Sequence, residues 1–231
     1  MSLFKSTAIV SFFTLLSRIS GFVRDMLFAR FFGTSVWTDA FFVVFKIPNF
    51  LRRIFAEGSF SLAFVPVLND IKATGSREDL KDFIDHVAGS LTAVLLIVFA
   101  LMQLFAPWIL SIFDWPDENP SVFPSSVEMF RYTLFYLPTI SLVAFAGGIL
   151  NSFHRFAIPA ATPILLNLSL IVMAVYFRNS FDLSVMALAV GVMIAGFAQL
   201  LFQIPALIRL GVFPRLRVNF KDSKVRKVSS K

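Results

Sequence analysis

Apolar residues run along the chain in six stretches of helix length, approximately over residues 7–32, 36–68, 83–113, 127–150, 159–177 and 183–208, each broken off by turn-forming or charged residues. A membrane-crossing helix needs about 20 predominantly apolar residues, so each stretch is long enough to span a bilayer. Transmembrane β-strands would alternate apolar and polar positions over segments of about 10 residues, whereas these runs are continuous and rich in Leu, Phe, Ala and Val. The pattern predicts an all-α integral membrane protein: a bundle of six transmembrane helices within residues 1–208, followed by a basic tail over 209–231. The connections at 33–35, 69–82, 114–126, 151–158 and 178–182 are short, and none reads as a linker between domains.

Composition agrees. Of 231 residues 57% are hydrophobic and 15% charged, whereas a soluble domain carries about 25% charge. With no cysteine, disulfide scaffolds and thiolate metal sites are excluded. His86 and His154 stand alone near connections without a second ligand at metal spacing, and no nucleophile elbow, P-loop or dinucleotide fingerprint occurs. The sequence therefore predicts neither an enzyme nor a bound metal or cofactor, and no nucleic-acid partner. The first apolar run is interrupted by Arg18 and no small-residue cleavage site follows it, so it reads as a retained helix rather than a signal peptide.

Lysine and arginine set the expected orientation. With the N-terminus inside, the inside segments hold thirteen: Lys5; Lys72, Arg77 and Lys81; Arg155; and eight in the tail from Arg209 onward. The outside connections hold Arg178 alone. That asymmetry places both termini in the cytoplasm, and the basic tail is expected to attract anionic lipids.

Seven basic residues remain within the spans: Arg18, Arg24, Arg30, Lys46, Arg52, Arg53 and Arg131, accompanied by the carboxylates Asp25, Asp39, Glu57 and Glu128. Each charge at a helix centre costs about 2.5–3.5 kcal/mol on the insertion scale, so these groups are expected to face a bundle interior or a watery cavity. Most lie in the first two spans and the excess is positive, which suits an anion. Arginine in particular suits phosphate, because its planar fork donates two parallel hydrogen bonds. Arg18 and Asp25 are seven residues apart and share a helical stripe, with Arg24 and Gly21 beside it. Asp39, Lys46 and Arg53 also recur every seven residues, with Glu57 four further on, while Arg52 joins that face only if Pro48 shifts the helical phase.

Simpler readings stand beside these. Arg30 snorkels to the interface, Glu128 pairs with Arg131, and Lys46–Asp39 and Arg53–Glu57 are structural ion pairs. Gly147–Gly148 allows close helix packing, and Gln103, Asn167, Gln199 and Gln203 form hydrogen bonds between helices rather than lining a cavity.

Longer motifs then become recognisable. SRISGFVRDMLFARFFG (17–33), TDAFFVVFKIPNFLRRIFAEGSFSLAFVPVL (38–68), APW (106–108), GGILNSFHRFAIPAATPILLN (147–167) and QIPALIRLG (203–211) closely resemble the opening of the MurJ, or MviN, family. These are the bacterial lipid II flippases, a branch of the multidrug/oligosaccharidyl-lipid/polysaccharide (MOP) superfamily. The resemblance implies alternating-access movement of an undecaprenyl-diphosphate disaccharide-pentapeptide from the inner to the outer leaflet of the bacterial cytoplasmic membrane. It further implies a central cationic cavity between two lobes, with Arg18, Arg24, Asp25, Asp39, Arg52 and Glu57 at the positions matching the family's functional charges. Lys46, Asn49 and Arg53 are further candidates for the cavity wall.

Family members have about fourteen membrane helices in two lobes. The six spans here correspond to the N-terminal lobe, leading into a second lobe that this sequence does not contain. Expected partners are lipid II, membrane lipids, and either a second transporter lobe or cell-wall synthesis proteins. Two other functions stand beside the flippase: a MATE-like cation-coupled drug exporter, disfavoured by the positive interior, and a non-transporting membrane scaffold of the cell-wall machinery.

Overall fold

The computed structural model describes residues 3–52, 59–113, 115 and 119–215, and every regular element among them is helical. In chain order these are α1 (Leu3–Phe31), α2 (Val36–Arg52), α3 (Ser59–Thr74), α4 (Arg77–Leu104), α5 (Ala106–Leu110), α6 (Val122–Leu134), α7 (Tyr136–Ser152), α8 (Ala157–Val172) and α9 (Met186–Leu210). A π-helical turn (Met173–Phe177) and a 3₁₀ turn (Arg178–Ser180) extend α8.

Prolines explain where two apolar stretches divide. Pro107 and Pro138 lack the N–H that would bond to the carbonyls of Gln103 and Leu134. The chain breaks at Phe105 between α4 and α5 and at Phe135 between α6 and α7. The polar segment 69–82, expected as a loop, is mostly helical: α3 runs to Thr74 and α4 starts at Arg77. A capping box makes that early start possible. The Ser76 hydroxyl accepts from the Asp79 N–H and the Asp79 carboxylate accepts from the Ser76 N–H, which satisfies two otherwise orphaned donors. At the far end of α9, Gly211 takes the left-handed conformation (φ 70°), so the Val212 N–H reaches back to the Leu207 carbonyl at 3.1 Å.

Among the described residues, five helical segments are long and apolar enough to cross a membrane: Thr7–Phe31, Arg77–Leu104, Val122–Ser152, Ala157–Ser180 and Met186–Leu210. Within the stretch 36–68, expected as one span, the described residues form α2 and the first part of α3, and 53–58 lie outside them. Contacts near helix ends sort the connections onto two faces. The Arg178 guanidinium lies 4.1 Å from the Phe31 ring centroid, so the end of α1 and the α8–α9 connection share the first face. On the second, Lys72 donates to the Ser152 carbonyl and sits 4.4 Å over the Phe153 ring. There too Asp85 accepts from Lys81 and, at 2.7 Å, from the Arg215 N–H. Helices α2 and α3 therefore carry the chain from the first face to the second in two pieces, α2 packed on α6 and α7, and α3 on α7 and α4.

The bundle has two apolar cores. One gathers Phe41, Leu110, Phe130, Tyr136 and Val192, and the other Phe64, Phe83, Ile84, Ile149 and Leu207. Helix α1 packs chiefly along α8 and otherwise stands free, with Phe12, Leu15, Ile19 and Phe22 exposed. In water such a surface would be costly, whereas hydrocarbon tails solvate it.

Candidate functional site

One charge of α1, Arg24, is held by a polar residue on α8. Arg24 turns inward: its Nη1 donates to Asn167 Oδ1 at 2.9 Å, while Nε and Nη2 donate to Asp25 Oδ1 at 2.9 and 2.7 Å. Asn167, itself buried, uses its Nδ2 to donate to the Ser17 carbonyl at 3.0 Å and to Ser20 Oγ at 2.9 Å. Both ends of the amide are thus engaged, which fixes the side chain and, through it, the guanidinium. Gly21 lies beside this contact, and a Cβ there would meet Asn167 Nδ2 at 3.5 Å, an ordinary contact distance.

A salt bridge that is partly exposed contributes little to stability. The Asp25 side chain is 63% exposed against 24% for Arg24, so the arrangement is better suited to orienting an arginine than to gluing helices. Asn167→Leu is expected to free α1 from α8. The three lost hydrogen bonds correspond to about 1–3 kcal/mol, read as faster amide hydrogen exchange over residues 17–24 with α9 unaffected.

The remaining candidates are dispersed. Arg18 and Asp39 are exposed, and among the described residues neither makes an ion pair. Asp25 lines a recess of about 520 Å³ between α1 and α2, with Phe28, Thr38 and Phe42. Lys46 lines a different one of about 690 Å³ between α2 and α4, with Phe50, Val98 and Met102, and Asn49 borders it as well. Two of the four residues of the expected polar face, Arg53 and Glu57, lie outside the described residues, and no Lys46–Asp39 or Arg131–Glu128 pair forms among those described. Residues at a spacing of seven share a stripe but sit about two helical turns apart, beyond reach of a direct bond. Arg53, Glu57, the Arg52 side chain and the tail from 216 onward lie outside the described residues.

Sequence reasoning missed two features. Asp85 falls inside the third apolar stretch yet was not among the charges singled out; it is the one charged side chain classed as buried among the described residues. Its partners, Lys81 one turn away and the Arg215 backbone, remove the cost of that burial.

The second feature is a largely apolar cavity of about 560 Å³ between α2, α3, α7, α8 and α9, near the second face, with Asn49, Tyr136, Asn151, Thr162, Gln199 and Gln203 as the polar residues among its described lining. The expectation that the four amides form interhelical hydrogen bonds holds for Gln103, Asn167 and Gln199, the last donating to the Thr162 carbonyl at 2.8 Å. Gln203 departs from it. Only 1% exposed, it has no hydrogen-bond partner in the protein for either amide atom, and Gln199 Oε1 is likewise unsatisfied. Each unpaired group costs about 1–3 kcal/mol. The glycine pair borders this cavity rather than forcing close packing: a Cβ at Gly147 or Gly148 would meet its nearest neighbour at 3.5 or 3.4 Å, ordinary contact distances.

The described residues form an all-helical bundle with an arginine held on its opening helix. It superposes on a solved MurJ structure, described as lipid II flippase MurJ in an inward closed conformation, with a TM-score of 0.76 and 26% identity, covering 96% of this chain and 46% of that one. A MOP superfamily transporter from Pyrococcus furiosus, 16% identical with a TM-score of 0.66 over 97% of this chain and 50% of its own, shares the fold. The chain belongs to the MurJ family: the family described as lipid II flippase MurJ matches residues 28–231.

Relatives include a probable lipid II flippase MurJ from Buchnera aphidicola, 42% identical over 92% of this chain and 42% of its own length. Another, from Vibrio cholerae, is 40% identical over 98% and 45%, and the lipid II flippase MurJ of Burkholderia cenocepacia is 38% identical over 95% and 43%. The chain spans less than half the length of these curated relatives.

Proposed function

We propose that this chain forms the N-terminal lobe of a lipid II flippase, moving the polyprenyl-diphosphate-linked peptidoglycan precursor from the inner to the outer leaflet by alternating access. The observation that carries this reading is the Arg24 guanidinium, fixed by Asn167 and Asp25 on a helix whose remaining surface is open. A preoriented fork binds a diphosphate without first losing side-chain freedom. Arg18 and Arg52 add positive charge along the same path, and Asp25 and Asp39 limit how tightly the anion is held, since release must follow capture. The headgroup passes between this lobe and a second one, while the lipid tail stays in the bilayer.

On this reading α2 and α3 together make the sixth crossing. Lys72, Arg77, Lys81, Arg155, Arg209 and Arg215 border the second face, which supports a reading with that face and both termini in the cytoplasm. The positive charge of the α1 site disfavours a drug exporter for organic cations. The test is complementation. Fused ahead of the second half of the Vibrio cholerae relative, the chain is expected to restore growth to cells depleted of their own flippase. Failure of the fusion, though made and inserted, overturns the proposal. Rescue by the chain alone overturns its two-lobe mechanism.

A further inference from the structure

The chain does not leave the lobe freely where α9 ends. Gly211 closes that helix in the left-handed conformation, and the Val212 side chain, 3% exposed, joins the apolar core that contains Leu80, Ile84 and Leu207. The Arg77 guanidinium lies against Gly211, where a Cβ would meet Nη2 at 2.5 Å. Four residues further on, the Arg215 N–H donates to Asp85 Oδ1 at 2.7 Å, and Lys81 donates to the same oxygen.

Arg77, Lys81 and Asp85 recur every four residues and so share one stripe of α4. From Arg77 to Asp85 the helix rises about 12 Å, and four residues of extended chain from Gly211 to Arg215 cover about 13 Å. The two lengths match. Residues 211–215 form a strap laid along the opening turns of α4, pinned at one end by Gly211 and Val212 and at the other by Asp85.

Helix α4 by itself gives no reason to bury a carboxylate at this position. A lysine–aspartate pair one turn apart contributes little, the order with lysine first is the weaker one, and the pair forms equally well at an exposed site. Burial adds a desolvation cost that only well-placed hydrogen bonds offset. The Arg215 N–H lies beyond the end of α9 and is a donor that no helix satisfies. An ionised acceptor makes its bond stronger than one between neutral groups.

We infer that Asp85 is a positioning residue for the chain that follows: its carboxylate holds the strap on α4, so that the path beyond residue 215 starts from the wall of the lobe rather than from the end of α9. That this path leads to a second lobe rests on the function proposed above. In such a protein the clasp takes residues 211–215 out of the free connection and fixes its point of departure, which limits how the two lobes move against each other.

Amide exchange of the detergent-solubilised chain, carrying isotope-labelled arginine and read by NMR, tests the clasp directly. The Arg215 signal is identified by its loss in Arg215→Lys. It is expected to exchange at least tenfold more slowly than an unprotected amide. Asp85→Ala is expected to remove that protection, and Asp85→Asn, whose Oδ1 still accepts, to keep most of it. The two-lobe fusion tests the positioning role. Asp85→Ala and Arg215→Pro, the latter removing the donor while leaving the Lys81–Asp85 pair in place, are each expected to lower rescue at least tenfold in colony number, and the double variant no further. Arg215→Ala keeps the backbone N–H and is expected to rescue like the parent. A carboxylate that merely stabilised α4 would produce no such dependence on one backbone donor.

An Arg215 amide that exchanges freely in the parent chain, or equally fast with and without Asp85, overturns the clasp. A lower melting temperature in Asp85→Ala with unchanged Arg215 exchange does so too, because it marks a carboxylate serving α4 alone. Full rescue by Arg215→Pro, or additive losses in the double variant, overturns the positioning role. A parent fusion that fails to rescue counts against the flippase reading instead, and Arg215 exchange then decides the clasp.

Discussion

Gly196→Val will prevent the bundle from closing. At this point α9 crosses α7 so tightly that a Cβ on Gly196 would lie 2.2 Å from Thr139 Oγ1, 3.1 Å from Thr139 Cβ and 3.2 Å from the Tyr136 ring. Thr139 has little freedom to move aside. It is buried, and its hydroxyl donates to the Phe135 and Tyr136 carbonyls at 2.9 and 3.0 Å, next to the break that separates α6 from α7. One extra methyl in such a contact costs about 1–3 kcal/mol, the magnitude expected for Gly196→Ala, and the branched valine exceeds it. Thermal unfolding in detergent, followed by circular dichroism, measures both. Because the Oγ1 contact is the closest, Thr139→Ala is expected to recover part of the loss in Gly196→Ala, leaving the contacts with Thr139 Cβ and Tyr136. A Gly196→Val chain that melts like the parent would show that α7 and α9 are not in this contact.

The second large effect is on ligand binding. Arg24→Ala removes a guanidinium fixed from three directions, by Asp25, by Asn167 and by the Phe28 ring 5.8 Å away. A hydrogen bond to a charged group contributes about 1.5–3 kcal/mol, so affinity for a polyprenyl-diphosphate headgroup is expected to fall at least tenfold. Arg24→Lys should recover little, because an ammonium cannot reproduce the planar fork that engages Asn167 and phosphate together. Unchanged headgroup binding in Arg24→Ala, with the fusion still supporting growth, would remove the arginine from the transport path.

The two effects are separable because Gly196 acts on the α7–α9 crossing and Arg24 on the α1–α8 contact. Gly196 also shares α9 with Gln199 and Gln203. A displaced α9 would therefore disturb the amide cavity, whereas loss of Arg24 leaves that wall in place.

Part of this architecture could be read directly from the residues. Unbroken apolar stretches require helices in a bilayer, since lipid offers backbone groups no other partner. Arg18, Arg24 and Asp25 are conspicuous in the first stretch because charge is so costly there. Local chemistry was legible too. Pro107 and Pro138 mark breaks that the six-stretch reading passed over, and Ser76 with Asp79 carries the cap that turned an expected loop into helix.

What one-dimensional spacing cannot supply is the partner. Asn167 lies 143 residues from Arg24, and only the packing of α8 on α1 makes it the residue that aims the guanidinium. The same spacing rule that put Asp39 and Lys46 on one stripe says nothing of the separate recesses in which tertiary packing leaves Lys46 and Asp25. Gln199 and Gln203 look alike in sequence, one turn apart on α9. One donates to the Thr162 carbonyl at 2.8 Å and the amide of the other has no hydrogen-bond partner in the protein. The sequence by itself determined that this chain is a helical membrane bundle with surplus arginine near its start, because hydrophobicity and charge are properties of each residue alone. Which amide finds a hydrogen-bond partner was decided only by the tertiary structure, because hydrogen bonding is a property of pairs brought together in space.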